Sequence, residues 1–278
     1  MATTTFNVVT FLWHDPKAKH TANFSYGPDH VNKLFRQLAK GFEANGMENF
    51  KLTVVTDAKD ITGFDTSIPG FQLIPLWDDF RDIGRCFTKL KVFSREHKHP
   101  VHGDDMPRHG FFDGRYIITI DIDVVIIKPK EFVSALTSNR MEAFKGYRDT
   151  KNPRCYSGAL WRIDTGSYNG FHHVYDTFRH IYDINKGTNN LGNFYPNWNV
   201  VSSFVGSDQC WITTAIGEFS YPNKWSDEDG IYDEWQITHL PSLPLNTCAV
   251  FMNGMNRDMT MPKFQEKYPW INEHWVNV

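Results

Sequence analysis

One stretch constrains this chain more than any other: YIITIDIDVVIIKP, residues 116–129, an apolar run with two carboxylates, Asp121 and Asp123, set into its centre. Its flanks, 116–120 and 124–127, are β-branched or aromatic almost throughout, the composition of a strand covered on both faces. Burying an unpaired carboxylate is costly, so two of them need a cation, dense hydrogen bonding or an exit from the core. The simplest solution ends the strand near Ile120. Both aspartates then emerge at its carboxyl end, where open α/β sheets bind ligands in a crevice. Side chains alternate along extended backbone, so Asp121 and Asp123 point one way and Ile122 returns to the core. Two oxygen donors on one side make half a site for a hard divalent cation, Mg2+ or Mn2+, with places left for water and phosphate.

The rest of the chain supplies a sheet for that strand to join. NVVTFLW (7–13), KLTVVTD (51–57) and FQLIPLW (71–77) read as three further strands. Between the first two, HVNKLFRQLAKGFEAN places Val31, Leu34, Leu38 and Phe42 at helical spacing, with Asp29 as the expected cap and Gly46 as the stop. A helix is expected over 85–97. Downstream come a strand YSGALWRID, an amphipathic helix over YNGFHHVYDTFRHIYDIN, a short helix SDQCWITTAI capped by Ser207 or Asp208, and a last strand CAVFMNG. Strands alternating with helices through connections too long for hairpins predict an α/β fold, a largely parallel, mixed sheet with helices on both faces. No repeat or linker divides the 278 residues, so a single domain is expected, with 1–130 as a Rossmann-like nucleotide-binding half and 131–278 as an acceptor half.

Composition narrows the function classes. A formal charge of −3 gives no global pull toward nucleic acid or anionic membrane. No run of about 18 apolar residues and no basic leader is present, which reads as a cytoplasmic protein without a membrane span. The four cysteines are dispersed, with no CxxC pair for zinc or a disulfide framework. Aromatic residues reach 15%, enough for ring-lined clefts as well as core.

Several segments, in order, carry a family resemblance: FLW near the start, DHVNKL, CFTKLKVFS, YIITIDIDVVIIKP, YSGALWRI, GSDQCWI and the closing VFMNG. Together they resemble GT-A-type glycosyltransferases, and more narrowly a group of small GT-A-like proteins common in bacteria and phages. The resemblance implies a metal-dependent transferase that moves a sugar from a nucleoside-diphosphate sugar, a UDP-sugar first of all, to an acceptor hydroxyl. It implies that Asp121 and Asp123 hold Mn2+ or Mg2+ against the diphosphate, and that Thr56 and Asp57 contact base or ribose. Arg85 and Lys89 would reach the diphosphate or sugar. The DQ pair, Asp208 and Gln209, is similar to that of retaining, family-8-like enzymes, where it faces the donor sugar and the reacting centre; an inverting enzyme would instead use Asp208 as a base. Where relatives end in His-Gly, this chain has Asn253, an amide oxygen and a weaker third metal ligand. Arg257 and Lys263 are the basic candidates in that tail.

The acceptor is expected along 189–204 and 225–235, whose rings suit a saccharide, or a hydroxymethylated pyrimidine in phage DNA. Two other classes remain at this stage. A nucleotidyltransferase also uses paired aspartates but calls for a glycine-rich basic loop after the first strand, where this chain has HDPKAKHTANFSYGP. A non-catalytic sugar-binding module would keep the aromatic cleft without the metal chemistry. The histidine-rich run HKHPVHGDD matches no ligand spacing and reads as a solvated loop, while His172 and His173 are adjacent on a helix and face apart.

Overall fold

In the computed structural model of the chain, the residues described are 6–13, 26–58, 61–76, 85–94, 114–138, 142–150, 155–165, 172–186, 208–216, 224–252, 259–276 and 278. The first strand, β1 (Phe6–Leu12), alternates its side chains between two cores. Val8 enters one beneath α1 (Pro28–Ala44), and Val9 enters the other on the opposite face. α1 buries Val31, Leu34, Phe35, Leu38 and Phe42, the stripe expected of an amphipathic helix. Its start differs from the sequence expectation: Gly27 is the cap and Pro28 the first residue, while Asp29 lies in the first turn and pairs with Lys33 at 3.1 Å. Proline there forfeits no helical hydrogen bond. Gly41 lets α2 (Pro129–Thr137) approach, since a Cβ at that position would lie 2.4 Å from the Pro129 carbonyl oxygen.

β2 (Phe50–Thr56), β3 (Phe71–Pro75) and β4 (Tyr116–Ile120) join β1 in parallel; β7 (Tyr156–Asp164) runs antiparallel to β4, and β6 (Phe144–Arg148) antiparallel to β7. The order is β3-β2-β1-β4-β7-β6, a mixed, mostly parallel sheet. Helices cover both faces, as expected. One core packs under α1 and α2. The other packs Val9, Leu90, Trp161, Val174 and Ile212 under a 3-10 stretch (Arg85–Phe93), α3 (His172–Lys186) and α4 (Asp208–Ile216). The helix expected over 85–97 is thus a tighter 3-10 turn where it is described.

A second sheet corrects the expectation for the last strand. β9 (Ala249–Phe251) does not join the main sheet. It pairs antiparallel with β5 (Val124–Ile126) and parallel with β8 (Ile231–Asp233). The chain therefore leaves one sheet at Ile120 and enters the other at Val124. The bridging residues are tied at both ends: the Asp121 amide donates to the Ala159 carbonyl at 2.9 Å, and the Asp123 carbonyl accepts from the Met252 amide at 2.7 Å. Beyond β8 a single turn, α5 (Glu234–Ile237), and the C-terminal α6 (Pro262–Lys267) with a π-turn (Asn272–Val276) cover the outer face of the small sheet. Among the described residues no helix is long and apolar enough to cross a membrane.

Candidate active site

The site grows from the split between the sheets. Parallel strands put the ends of β1, β2 and β4 on one edge, and antiparallel β7 contributes its beginning to the same edge, since Ile120 pairs with Leu160. Residues 156–158 therefore overhang the point where Asp121 emerges. Ile122 is buried and Asp121 and Asp123 are half-buried, the alternation expected from extended backbone.

Lys89 organises this edge. Its side chain is only 6% exposed, and its ammonium lies 2.5 Å from Asp121 Oδ1, 3.5 Å from Asp208 Oδ2 and 3.2 Å from the Gly158 carbonyl oxygen it donates to. The 3-10 turn carries it to this edge, while α4 starts at Asp208 and delivers that carboxylate, itself buried, to the same ammonium. Gly158 is part of the fit: a Cβ there would lie 2.5 Å from Asp208 Oδ2. Gln209, half-buried, donates to Ser157 Oγ at 3.4 Å. The sequence singled out neither Ser157 nor Gly158. The available signal was a small Ser-Gly pair in an otherwise bulky buried strand, which marks close approach of another group.

Asp123 is the unbalanced member. Its Oδ1 is buried with no hydrogen-bond partner, and burial, reinforced by the charge of Asp121, pushes its carboxyl up to about 7. Asp121, which keeps 32% of its side chain exposed, is also raised by burial, against the opposing Lys89 ammonium. Among the described residues the carboxylates of Asp121, Asp123 and Asp208 gather near the ammonium of Lys89, so when ionised these four groups sum to two negative charges. An orphaned carboxylate oxygen beside a second carboxylate is a donor set that fits a hard divalent cation completed by water and phosphate oxygens. Among the described residues no group of three or more His, Cys, Asp and Glu side chains is placed to hold a metal.

The remaining expected residues are placed as follows. Thr56 ends β2 buried; its Oγ1 accepts from the Ala58 amide at 3.1 Å and its carbonyl from the Leu76 amide at 2.8 Å, which shapes the turn carrying half-buried Asp57. By the strand spacing these two lie about 10 Å from β4 along the same edge. Arg85 begins the 3-10 turn, but its side chain lies outside the described residues, as do Asn253, Arg257, the 189–204 segment and the histidine-rich run. Lys263 is exposed on α6, its ammonium 5.1 Å from the Phe264 ring centre. Trp225 is fully buried, its indole donating to the Ala135 carbonyl at 3.0 Å, so it is a core ring and not a cleft surface. His173 contacts the Ala215 carbonyl at 2.6 Å through Nε2, a packing role between α3 and α4.

A mixed, mostly parallel sheet with helices on both faces is a GT-A-like glycosyltransferase architecture, and solved structures agree. No protein-family model and no curated protein matches the sequence. The fold is similar to the glycosyltransferase GlyE of Streptococcus pneumoniae TIGR4, with TM-score 0.52 at 10% identity over 91% of this chain. An apo form of GlyE gives 0.54 at 9% identity over 99% of this chain. The chain spans 56% and 64% of those two GlyE chains. It is similar over nearly full length on both sides to the galactosyltransferase LgtC in complex with donor and acceptor sugar analogues: TM-score 0.50, 11% identity, 97% of this chain and 96% of that one. The chain has a GT-A-like glycosyltransferase fold.

Proposed function

We propose that this chain is a metal-dependent glycosyltransferase that moves a sugar from a nucleoside-diphosphate sugar to an acceptor hydroxyl. The observation that carries the reading is Asp123: a buried carboxylate oxygen with no hydrogen-bond partner, beside Asp121, on the ligand-binding edge of a GT-A-like sheet. A protein gains nothing in stability by keeping such a group unless a ligand satisfies it. The similarity to LgtC, solved with donor and acceptor sugar analogues, supports the same edge as the place of sugar transfer.

Asp121 and Asp123 would hold Mn2+ or Mg2+. The cation supplies a fixed positive charge where the leaving diphosphate builds negative charge. The other roles belong to this chain's own side chains. Lys89 fixes Asp121 by a 2.5 Å ion pair and adds a buried ammonium on the diphosphate side. Asp208, buried and within 3.5 Å of that ammonium, acts through Lys89 as a positioning group; its burial and pairing do not suit a base that must meet an acceptor hydroxyl. Gln209, more open and anchored through Ser157, is the member of the pair that would face the donor sugar. Asp57 on its turn is the candidate for ribose or base contact. Asn253 and Arg85 remain the proposed third metal ligand and a second basic contact.

The test is thermal stability against a panel of nucleoside diphosphates and nucleotide sugars, UDP and UDP-sugars first, with and without Mn2+. A ligand that binds only the native state stabilises it by about 2.7 kcal/mol at a hundredfold excess over its Kd. The expected result is an Mn2+-dependent rise with one nucleotide. A folded protein unmoved by every nucleotide contradicts the donor site.

A further inference from the structure

The two aspartates of the proposed site belong to different sheets. The Asp121 amide is held by β7, through the Ala159 carbonyl at 2.9 Å, and the Asp123 carbonyl is held by β9, through the Met252 amide at 2.7 Å. Ile122 alone lies between them, so the span between the two carboxylates follows the relative placement of the sheets. The strand orders show how that placement is made. β4-β7-β6 is one half of the main sheet, and β5-β9-β8 is the small sheet. The end of β4 lies with the start of β7 and the end of β6, since Ile120 pairs with Leu160 and Arg148 with Tyr156. The start of β5 lies with the ends of β9 and β8, since Val124 pairs with Phe251 and Phe251 with Asp233. Three strand ends therefore meet three strand ends across the split. The chain joins β4 to β5 on one side; β6 meets β8 two strand spacings away, about 10 Å.

On that far side the sheets are tied by polar groups. The Trp225 amide donates to the Gly146 carbonyl at 3.0 Å and its carbonyl accepts from the Arg148 amide at 2.9 Å, after which the chain turns through 226–230 into β8. From β6 and the residues that follow it, the Tyr147 hydroxyl donates to Gln236 Oε1 at 3.2 Å, Arg148 pairs with Asp227 at 2.9 Å, and the Thr150 hydroxyl donates to Asp233. The Arg148–Asp227 pair is exposed on both partners and contributes little. The Thr150 bond differs. Asp233 is 2% exposed and caps α5 with one oxygen, Oδ1, which accepts from the Gln236 amide at 3.1 Å. Serine or threonine would cap as well without burying a charge. What the carboxylate adds is its second oxygen, and that oxygen reaches across the split to Thr150. Apolar side chains of both sheets also meet beneath α1 and α2, but such packing is non-directional, whereas a hydrogen bond fixes distance and angle.

Resting on the donor reading above, we infer that Thr150 and Asp233 are positioning residues for the divalent cation. Their bond braces the small sheet against the main sheet where β6 meets β8, and so fixes the span of the Asp121–Asp123 pair where β4 meets β5. Neither side chain has to touch cation or donor; both act through the backbone of the two sheets.

The test uses the full chain and three variants. Thr150→Val removes the hydroxyl at constant shape, Thr150→Ser restores it, and Glu234→Ala removes a buried acid whose partners, Tyr268 and Lys267, lie on the small sheet's own cover. Mn2+ affinity in the presence of UDP, read from the electron paramagnetic resonance of free Mn2+, should weaken about 10- to 100-fold in Thr150→Val, recover in Thr150→Ser and keep the wild-type value in Glu234→Ala. Without metal, amide hydrogen exchange at Asp121 and Met252, the bonds at the two ends of the link, should be at least about tenfold faster in Thr150→Val than in wild type. Wild-type Mn2+ affinity in Thr150→Val, no recovery in Thr150→Ser, equal weakening in Glu234→Ala, or unchanged exchange at both amides overturns the brace. A wild-type chain that takes up no Mn2+ with UDP present contradicts the donor reading instead, and the metal-free exchange then still judges the brace.

Discussion

Two of the regions in which this molecule buries carboxylates treat them in opposite ways. At 233–234 each acid is closed off by neighbours: Asp233 by Thr150 and the Gln236 amide, Glu234 by the Tyr268 hydroxyl and by Lys267 at 3.6 Å. Thr238 and Lys267 extend that network, with Lys267 donating to Thr238 Oγ1 at 2.9 Å. At the split between the sheets, the Lys89 ammonium pairs with Asp121 and Asp208, and an Asp123 oxygen is left buried and unbonded. The first arrangement is what a fold does with a buried charge to hold itself together. The second costs stability and makes sense only if something else completes it.

The largest effect that would break this contrast is on catalysis. Asp123→Asn keeps the size of the side chain and removes the charge; transfer should fall on the order of a thousandfold, measured as nucleoside diphosphate released with acceptor present. The same variant should melt no lower than wild type without cation, because it neutralises a charge the fold does not satisfy. A normal rate, or a large loss of stability, would place Asp123 with the structural acids. Next in size, Lys89→Met strands Asp121 and Asp208 and should cost about 3–5 kcal/mol in denaturant unfolding. Glu234→Ala should cost about 1–3 kcal/mol while leaving the Mn2+-dependent nucleotide shift intact. An effect of Glu234→Ala on that shift would blur the two regions.

The smallest effect is a slope with pH. Because the Asp123 carboxyl sits at about 7 in the folded chain, against about 4 unfolded, the native state holds this proton more tightly. Its contribution to stability is full below about pH 4 and is lost as pH rises through about 7. The difference in stability between wild type and Asp123→Asn, measured without cation, should therefore move against wild type from pH 5 to 7 and level off above. Cation and proton compete for the same oxygens, so Mn2+ stabilisation of the wild type should grow over that interval.

How much of this was legible in the residues differs from element to element. The end of β4 could be read because two charges inside a β-branched run admit few solutions, and the hydrophobic period then fixed which side they faced. The burial of Lys89 could not: helical spacing assigns a lysine to solvent, and only the arrival of α4 and the opening at Gly158 enclose it. The same limit applies to the tryptophans. Trp225 and Trp235 are the same residue type ten positions apart, yet one lies under α2 and the other stands on the surface, a difference set by long-range packing. The last strand was recognisable as a strand, but its partner was not, because pairing with Val124–Ile126 spans more than 120 residues. Thr56 ended its strand where expected, with its hydroxyl engaged in the turn.

The most direct test of the central claim is calorimetric titration of UDP into the wild-type chain and into Asp123→Asn, each with and without Mn2+. The account predicts binding to the wild type that requires Mn2+, and loss of that Mn2+ dependence in a variant that remains folded. UDP binding with the same affinity in all four titrations would contradict it, and would leave Asp121 and Asp123 as charges that the fold merely tolerates.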